Sequence, residues 1–132
     1  MVSAPPVVLV VDVANVMGSR PDGWWRNRAR AAERLLGEIA HLAGAEVTTP
    51  EGLRLTVHRL VGVLEGRARD VAAPDGVEVI RATADGDSAV VALAEDLVGS
   101  GDLALVVTAD RGLQARLPAS VLIAGPRWLL SR

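Results

Sequence analysis

Four acidic side chains, Asp12, Glu65, Asp87 and Asp110, stand where carboxylates are well placed to do chemistry. Apolar runs of strand length lead into three of them: Val7 to Val11 before Asp12, Leu55 to Leu64 before Glu65, and Leu103 to Thr108 before Asp110. Asp87 opens an Ala, Val and Leu-rich stretch that follows a fourth run, Val77 to Arg81. In an open parallel sheet, ligands bind outside the carboxyl ends of the strands, at the crevice where strand order reverses. Acids at four such ends can therefore face one pocket although they are far apart in sequence. Gathered carboxylates repel one another unless protonated or bridged by cations, and hard oxygen donors without nitrogen or sulfur suit Mg2+ or Mn2+. A divalent-metal site is the expectation.

Each acid also has a plainer reading. A helix N-cap explains Asp87 about equally well, because capping alone favours aspartate at that spot. Glu65 is the weakest of the four, since a strand-end glutamate is often only solvated. Asp12, followed by Asn15, and Asp110, within Val107-Thr108-Ala109-Asp110-Arg111, favour function over a turn role. Asp85 reads as loop surface or outer shell, and His41, His58, Glu95 and Asp96 as ordinary surface or helix-face residues.

Composition narrows the chemistry further. Cysteine is absent and there are two histidines, which excludes thiolate zinc sites, cysteine nucleophiles, disulfide frameworks and histidine metal clusters. All fourteen basic residues are arginine, so Walker-type phosphate binding and Schiff-base chemistry are excluded too. A formal net charge of -2 argues against a general nucleic-acid coat but not against a local site, where bound cations reverse the sign of the acids. At 132 residues, half of them apolar, residues 1–132 suffice for a single domain with a real core. The apolar run at Val7 to Val11 lacks a basic flank and is broken by Asp12 and Asn15, so neither a secretion signal nor a membrane span is expected, and the location should be cytoplasmic.

The elements that must position these acids are legible in outline. Val7 to Asp12 is apolar on both faces, the mark of a central strand in a covered parallel sheet. Apolar residues at Trp25, Ala29, Ala32, Leu36, Ile39 and Ala43 trace one face of a helix, with Asp22 as its expected cap. Ala45 to Leu53 reads as a loop and Leu55 to Leu64 as the second strand. Gly66 to Gly76, with its Pro74-Asp75-Gly76 turn, carries the chain back to a third strand at Val77 to Arg81. A helix from Ser88 to about Val98, a fourth strand at Leu103 to Thr108, a helical turn to Leu117 and a last strand at Ser120 to Ala124 complete the chain. Strands alternating with helices imply a three-layer α/β/α fold with a mainly parallel sheet of four to five strands.

A polyanion approaching these acids needs compensating charge. The segment after Asp12 supplies Arg20, Arg26, Arg28, Arg30 and Arg34, with Trp24 and Trp25 among them, and Arg67 and Arg69 follow Glu65. Arginine pairs with phosphate through two parallel hydrogen bonds and tryptophan stacks on an unpaired base, which makes this a candidate single-strand contact surface. On the plainer reading, Trp25 belongs to the helix's buried stripe and the arginines are solvated charges; Trp24 is therefore the better candidate to touch substrate.

The segments Val10-Val11-Asp12-Val13-Ala14-Asn15-Val16, Val63-Leu64-Glu65-Gly66, Ala84-Asp85-Gly86-Asp87-Ser88 and Val107-Thr108-Ala109-Asp110-Arg111 resemble, in order, the four acidic motifs of NYN domains in the PIN-like nuclease superfamily, and especially its bacterial branch of RNA-processing ribonucleases. The resemblance spans about Val7 to Arg127. It implies a sheet order of third, second, first, fourth, fifth strand (3-2-1-4-5). It also implies Asp12, Asp87 and Asp110 as metal ligands, Asn15 as a pocket residue beside the first ligand, and Glu65 as an additional acid. Thr108 and Arg111, flanking Asp110, join Arg20, Trp24, Arg26, Arg30 and Arg67 as expected substrate contacts. Val13 stands where the family usually has glycine, and Ser88 where some relatives have a second acid.

The implied activity is metal-dependent hydrolysis of RNA phosphodiesters, single-stranded or structured, in which Mg2+ or Mn2+ orients the phosphate and lowers the pKa of water. Two other function classes fit the same residues: an RNA-binding module without catalysis, and a phosphatase or nucleoside triphosphate pyrophosphohydrolase. Haloacid-dehalogenase phosphatases need a second aspartate where Ala14 stands, and both they and receiver domains need a lysine. RNA is the expected partner, with no membrane; a second copy of the chain and an antitoxin-like protein are left open.

Overall fold

The computed structural model describes residues 4–132. Strand β1 (Pro6–Asp12) runs through the centre of the sheet, and Val7 to Val11 are at most 1% exposed. Its alternating side chains serve two cores: Val7, Leu9 and Val11 point into one, Val8 and Val10 into the other. That two-sided burial is what the unbroken β-branched run encodes.

Parallel neighbours flank β1, with β3 (Arg54–Leu64) on one side and β5 (Ala104–Val107) on the other. Strand β4 (Val77–Arg81) pairs in parallel with β3, and β6 (Leu122–Ala124) with β5. These five strands follow the expected order. A sixth, β2 (Glu46–Thr48), is antiparallel to the start of β3, with Val47 opposite Leu55. The sequence reading took this stretch as loop. Only Val47 of the three is buried, too short a pattern to announce a strand, and the hairpin is closed by Thr49, whose backbone bonds Leu53 and Gly52. β2 and β4 share one edge of the long β3, each pairing with half of it.

Helices cover both faces. On one side lie α1 (Val13–Gly18), α2 (Arg28–Ile39) and α5 (Pro126–Leu130), contributing Val16, Leu35, Leu36 and Leu129 to the larger core. On the other lie α3 (Gly86–Gly99) and α4 (Arg111–Arg116), contributing Val90, Ala94, Leu97 and Leu113. The result is a three-layer α/β/α arrangement. Gly62 of β3 marks the closest approach of the first helical layer: a Cβ there would lie 2.9 Å from Leu36 Cδ2 and 3.3 Å from Val13 Cγ2.

Two helices, α1 and α5, were not anticipated, and the start of α2 differs from expectation. Instead of a helix capped by Asp22, a 3-10 turn at Trp24–Arg26 follows Gly23, whose φ of 77° is left-handed. Asn27 then goes extended and caps α2, its Oδ1 accepting from the backbone N of Arg30 at 3.0 Å. The buried stripe is Ala31, Ala32, Leu35, Leu36 and Ile39, so Trp25 is not part of it and stands 56% exposed. Among the described residues, no helix is long and apolar enough to cross a membrane.

Candidate active site

The chain leaves β1 on one side of the sheet centre and reaches β5 on the other only after completing β3, β4 and α3. The gap at the carboxyl ends of β1 and β5 is therefore the topological switch point, where such sheets bind ligands. Asp12 closes β1 at this gap and Thr108 follows β5. The Thr108 hydroxyl donates to Asp12 Oδ2 at 3.0 Å, joining the two strand ends. The same hydroxyl oxygen accepts from the backbone N of Asp110 at 3.2 Å. Asn15 adds a second tie, its Oδ1 accepting from the backbone N of Ala109 at 2.8 Å.

Local helix chemistry explains why aspartates hold these corners. Asp12 caps α1, with Oδ1 accepting from the backbone N of Asn15 at 3.4 Å, and Asp110 caps α4, with Oδ1 accepting from Leu113 N at 3.0 Å. The cap of α3 is Asp85, whose Oδ1 accepts from Ser88 N at 2.7 Å. This corrects the reading of Asp87 as the cap; Asp85, read as loop surface or outer shell, is exposed and takes the capping duty as well. Asp87 sits in the first turn with no capping duty, and among the described residues its carboxylate makes no hydrogen bond. Glu65 reaches across from the end of β3, its Oε2 accepting from the backbone N of Gly86. A Cβ at Gly86 would lie 2.8 Å from that oxygen, so glycine is what lets Glu65 dock beside Asp87.

The four acids feel one another. Asp12 is 4% exposed, and burial is the main cause that pushes its carboxyl up to about 6. The Thr108 and Asn15 hydrogen bonds oppose that rise, while the charges of Asp87 and Glu65 add to it. The Asp87 carboxyl is likewise raised, by burial first and then by the charges of Asp110, Glu65 and Asp85, with Arg116 opposing. The charges of Glu65 and Asp87 thus act on Asp12, and those of Glu65 and Asp110 on Asp87.

They do not form a closed cage: among the described residues, no three Asp, Glu or His side chains are grouped as a ready-made cation site. The donor chemistry nevertheless suits a hard divalent ion. All four donors are carboxylates in mutual repulsion, and Asp87, Glu65 Oε1 and Asp110 Oδ2 are free of protein hydrogen bonds among the described residues.

The expected substrate contacts divide. Thr108 is fully buried, so it positions Asp12 and Asp110 and does not face an incoming strand. Arg20 is held by Glu38 through two hydrogen bonds, at 3.1 and 2.5 Å, and Arg34 faces Asp22 at 3.7 Å. Arg30 and Arg111 are exposed. Trp24 is half-buried against the larger core and lines a depression with Ala14, Met17, Arg28, Glu65, Gly66, Arg67 and Ala84. A second depression, lined by Trp25, Arg26, Asn27, Arg28, Ala29 and Arg67, adjoins it. Gly86 and the positioning role of Thr108 were missed from sequence; Gly86 was visible only as the glycine between two aspartates, and Thr108 only as the polar end of a buried strand.

Fold and site together define a three-layer, mainly parallel α/β protein with carboxylates gathered at its switch point. Among solved structures, Rae1 (YacP) from Bacillus subtilis has a similar fold, with a TM-score of 0.69 at 20% sequence identity, covering 94% of this chain and 71% of that one. A point mutant of the same protein superposes with a TM-score of 0.65 at 20% identity, covering 94% and 72%. No family model and no curated protein matches the chain.

Proposed function

We propose that the chain is a metal-dependent ribonuclease of the PIN-like (NYN) type, cleaving RNA phosphodiesters in the acidic cleft between β1 and β5. The observation that carries this reading is the convergence of Asp12, Glu65, Asp87 and Asp110 at the switch point, with Thr108 hydrogen-bonded to both Asp12 and Asp110. The likeness of fold to Rae1 and the ordered acidic motifs support it.

Asp12, Asp87 and Asp110 would hold Mg2+ or Mn2+, with Glu65 as an additional acid. Bound there, the ion would supply charge neutralisation at a phosphate and activation of water. The chain's own residues do the rest. Thr108 and Asn15 tie the β1 and β5 ends together, and the one Thr108 hydroxyl holds both Asp12 and the backbone of Asp110. Glu65, anchored on Gly86, fixes the start of α3 and with it Asp87. Arg28 and Arg67 line the adjoining depression and would draw a phosphate toward acids that otherwise repel it.

The test is incubation of end-labelled single-stranded RNA, matched DNA and ATP with the protein in Mn2+, Mg2+ or chelator, beside Asp12→Asn. Metal-dependent RNA cleavage lost in the variant is the expected result; turnover of ATP alone would move the activity to a small-substrate phosphohydrolase. The open spacing of the acids favours one second reading, an RNA-binding module without cleavage. Tight RNA binding with no cleavage under any metal would establish it.

A further inference from the structure

The proposed cleavage site says nothing about how a strand is gripped away from the carboxylates. We infer a nucleotide subsite outside the cleft, in which a base stacks on Trp25 and its phosphate is held between Arg28 and Arg67. This inference rests on the reading of the cleft as one that takes RNA.

Trp25 is one of three large hydrophobic side chains exposed among the described residues, at 56%. Its neighbour Trp24 takes the core-packing role at the same turn, so nothing in the packing requires a second indole at the surface. The two rings stand edge to face, with centroids 6.0 Å apart and planes at 89°. Arg26 covers Trp25 at 5.8 Å and Arg28 covers Trp24 at 5.4 Å. These contacts favour Arg26 beside the exposed Trp25 and Arg28 beside Trp24 before any ligand arrives.

The two depressions next to these rings measure about 430 and 390 Å³, each within the range of small-ligand sites. Arg28 and Arg67 line both and form the ridge between them. The larger holds Trp25, and the smaller runs from Trp24 to Glu65 at the edge of the acidic cleft. Charge bookkeeping favours an anion on the ridge: Arg20 and Arg34 are paired with Glu38 and Asp22, whereas Arg26, Arg28 and Arg67 have no ion pair among the described residues. A path therefore leads from an aromatic platform, over a cationic ridge, to the acids. Because the indoles are perpendicular, successive bases cannot continue a regular stack across them, so the path suits an unpaired strand with splayed bases rather than a duplex.

Fluorescence anisotropy of a labelled oligoadenylate of about eight nucleotides, in chelator so that no cleavage occurs, tests this with wild type, Trp25→Ala, Trp25→Phe and Arg28→Ala/Arg67→Ala. Trp25 is exposed and its loss leaves the core intact. Trp25→Ala should weaken binding roughly 5- to 100-fold and Trp25→Phe should restore most of it. The double arginine variant should weaken binding and flatten its dependence on salt by about two phosphate contacts. A hairpin duplex should bind more weakly than the single strand.

Equal affinity of Trp25→Ala and wild type overturns the inference, as does equal binding of duplex and single strand. Displacement of the oligonucleotide by polyglutamate at equal charge concentration would assign the ridge to acidic peptides and overturn it too. Because binding is read without metal, a wild type that grips the strand through Trp25 yet cleaves nothing sinks the proposed activity and leaves the subsite standing; cleavage indifferent to Trp25 does the reverse.

Discussion

Replacing Asp12 by asparagine should make the protein more stable at neutral pH and inactive at every pH. Asp12 is buried, and the rise of its carboxyl from 3.8 to about 6 corresponds to about 3 kcal/mol between its two protonation states. Folding raises this pKa, so the native state holds the extra proton between roughly pH 4 and 6. The associated stability is fully present below about pH 4 and is lost as pH rises through about 6. Asparagine is neutral throughout. Its Oδ1 can still accept from the Thr108 hydroxyl, while its amide nitrogen replaces the oxygen that accepts from the Asn15 backbone at 3.4 Å. Losing that acceptor costs about 1 kcal/mol, which leaves a net gain near 2 kcal/mol above pH 6 and a Tm higher by roughly 6–10 °C. Thermal melts of both proteins in chelator, at about pH 4, 5, 6 and 7.5, read the difference directly; contributions of groups remote from Asp12 cancel, and those of Asp87 and Glu65, which feel its charge, change in the same direction. A variant advantage that is the same at pH 4 and 7.5, or absent at both, would refute the claim that Asp12 carries a strained charge.

Three further changes probe the supports of the site. Thr108→Val removes the hydroxyl that lowers the Asp12 pKa, so the acid limb of the pH–rate profile should move to higher pH, while Thr108→Ser should leave it in place. Gly86→Ala puts a Cβ 2.8 Å from Glu65 Oε2 and breaks the Glu65 anchor; activity should fall roughly 10- to 100-fold, as measured by initial cleavage rates. Gly62→Ala crowds Leu36 and Val13 between β3 and the helices, and urea unfolding should show a loss of about 1–3 kcal/mol with the metal response intact.

What could be seen in the sequence and what could not follows from the range of the interactions involved. β1, β5 and the second half of β3 were legible because burial on both faces writes apolar runs, and Asp12, Glu65 and Asp110 because each such run leads into one of them. The six-residue α1 was not, since Asp12 is at once the last residue of β1 and the cap that starts it, a double role that periodicity does not display. β2 exists because β3 overhangs β4, a fact of three-dimensional register and not of the composition of Glu46–Thr48. Trp25 was assigned to a helix stripe because its spacing to Ala29 and Ala32 is helical; Gly23 and Asn27 broke that continuity through backbone conformation. The exchange of roles between Asp85 and Asp87 is a matter of two positions, and the spacing to the helix start alone could not decide it. Thr108 reads as one more strand residue until Asp12 and Asp110 are placed on either side of it.

The most direct measurement is a titration with Mn2+ followed by the electron paramagnetic resonance signal of the free ion, for wild type, Asp12→Asn and Asp87→Asn at pH 7.5. The wild type is expected to take up the ion saturably, to hold it more weakly below about pH 6 as Asp12 protonates, and to lose it in both variants. A wild type that leaves millimolar Mn2+ entirely free, or variants that bind as the wild type does, would contradict the account.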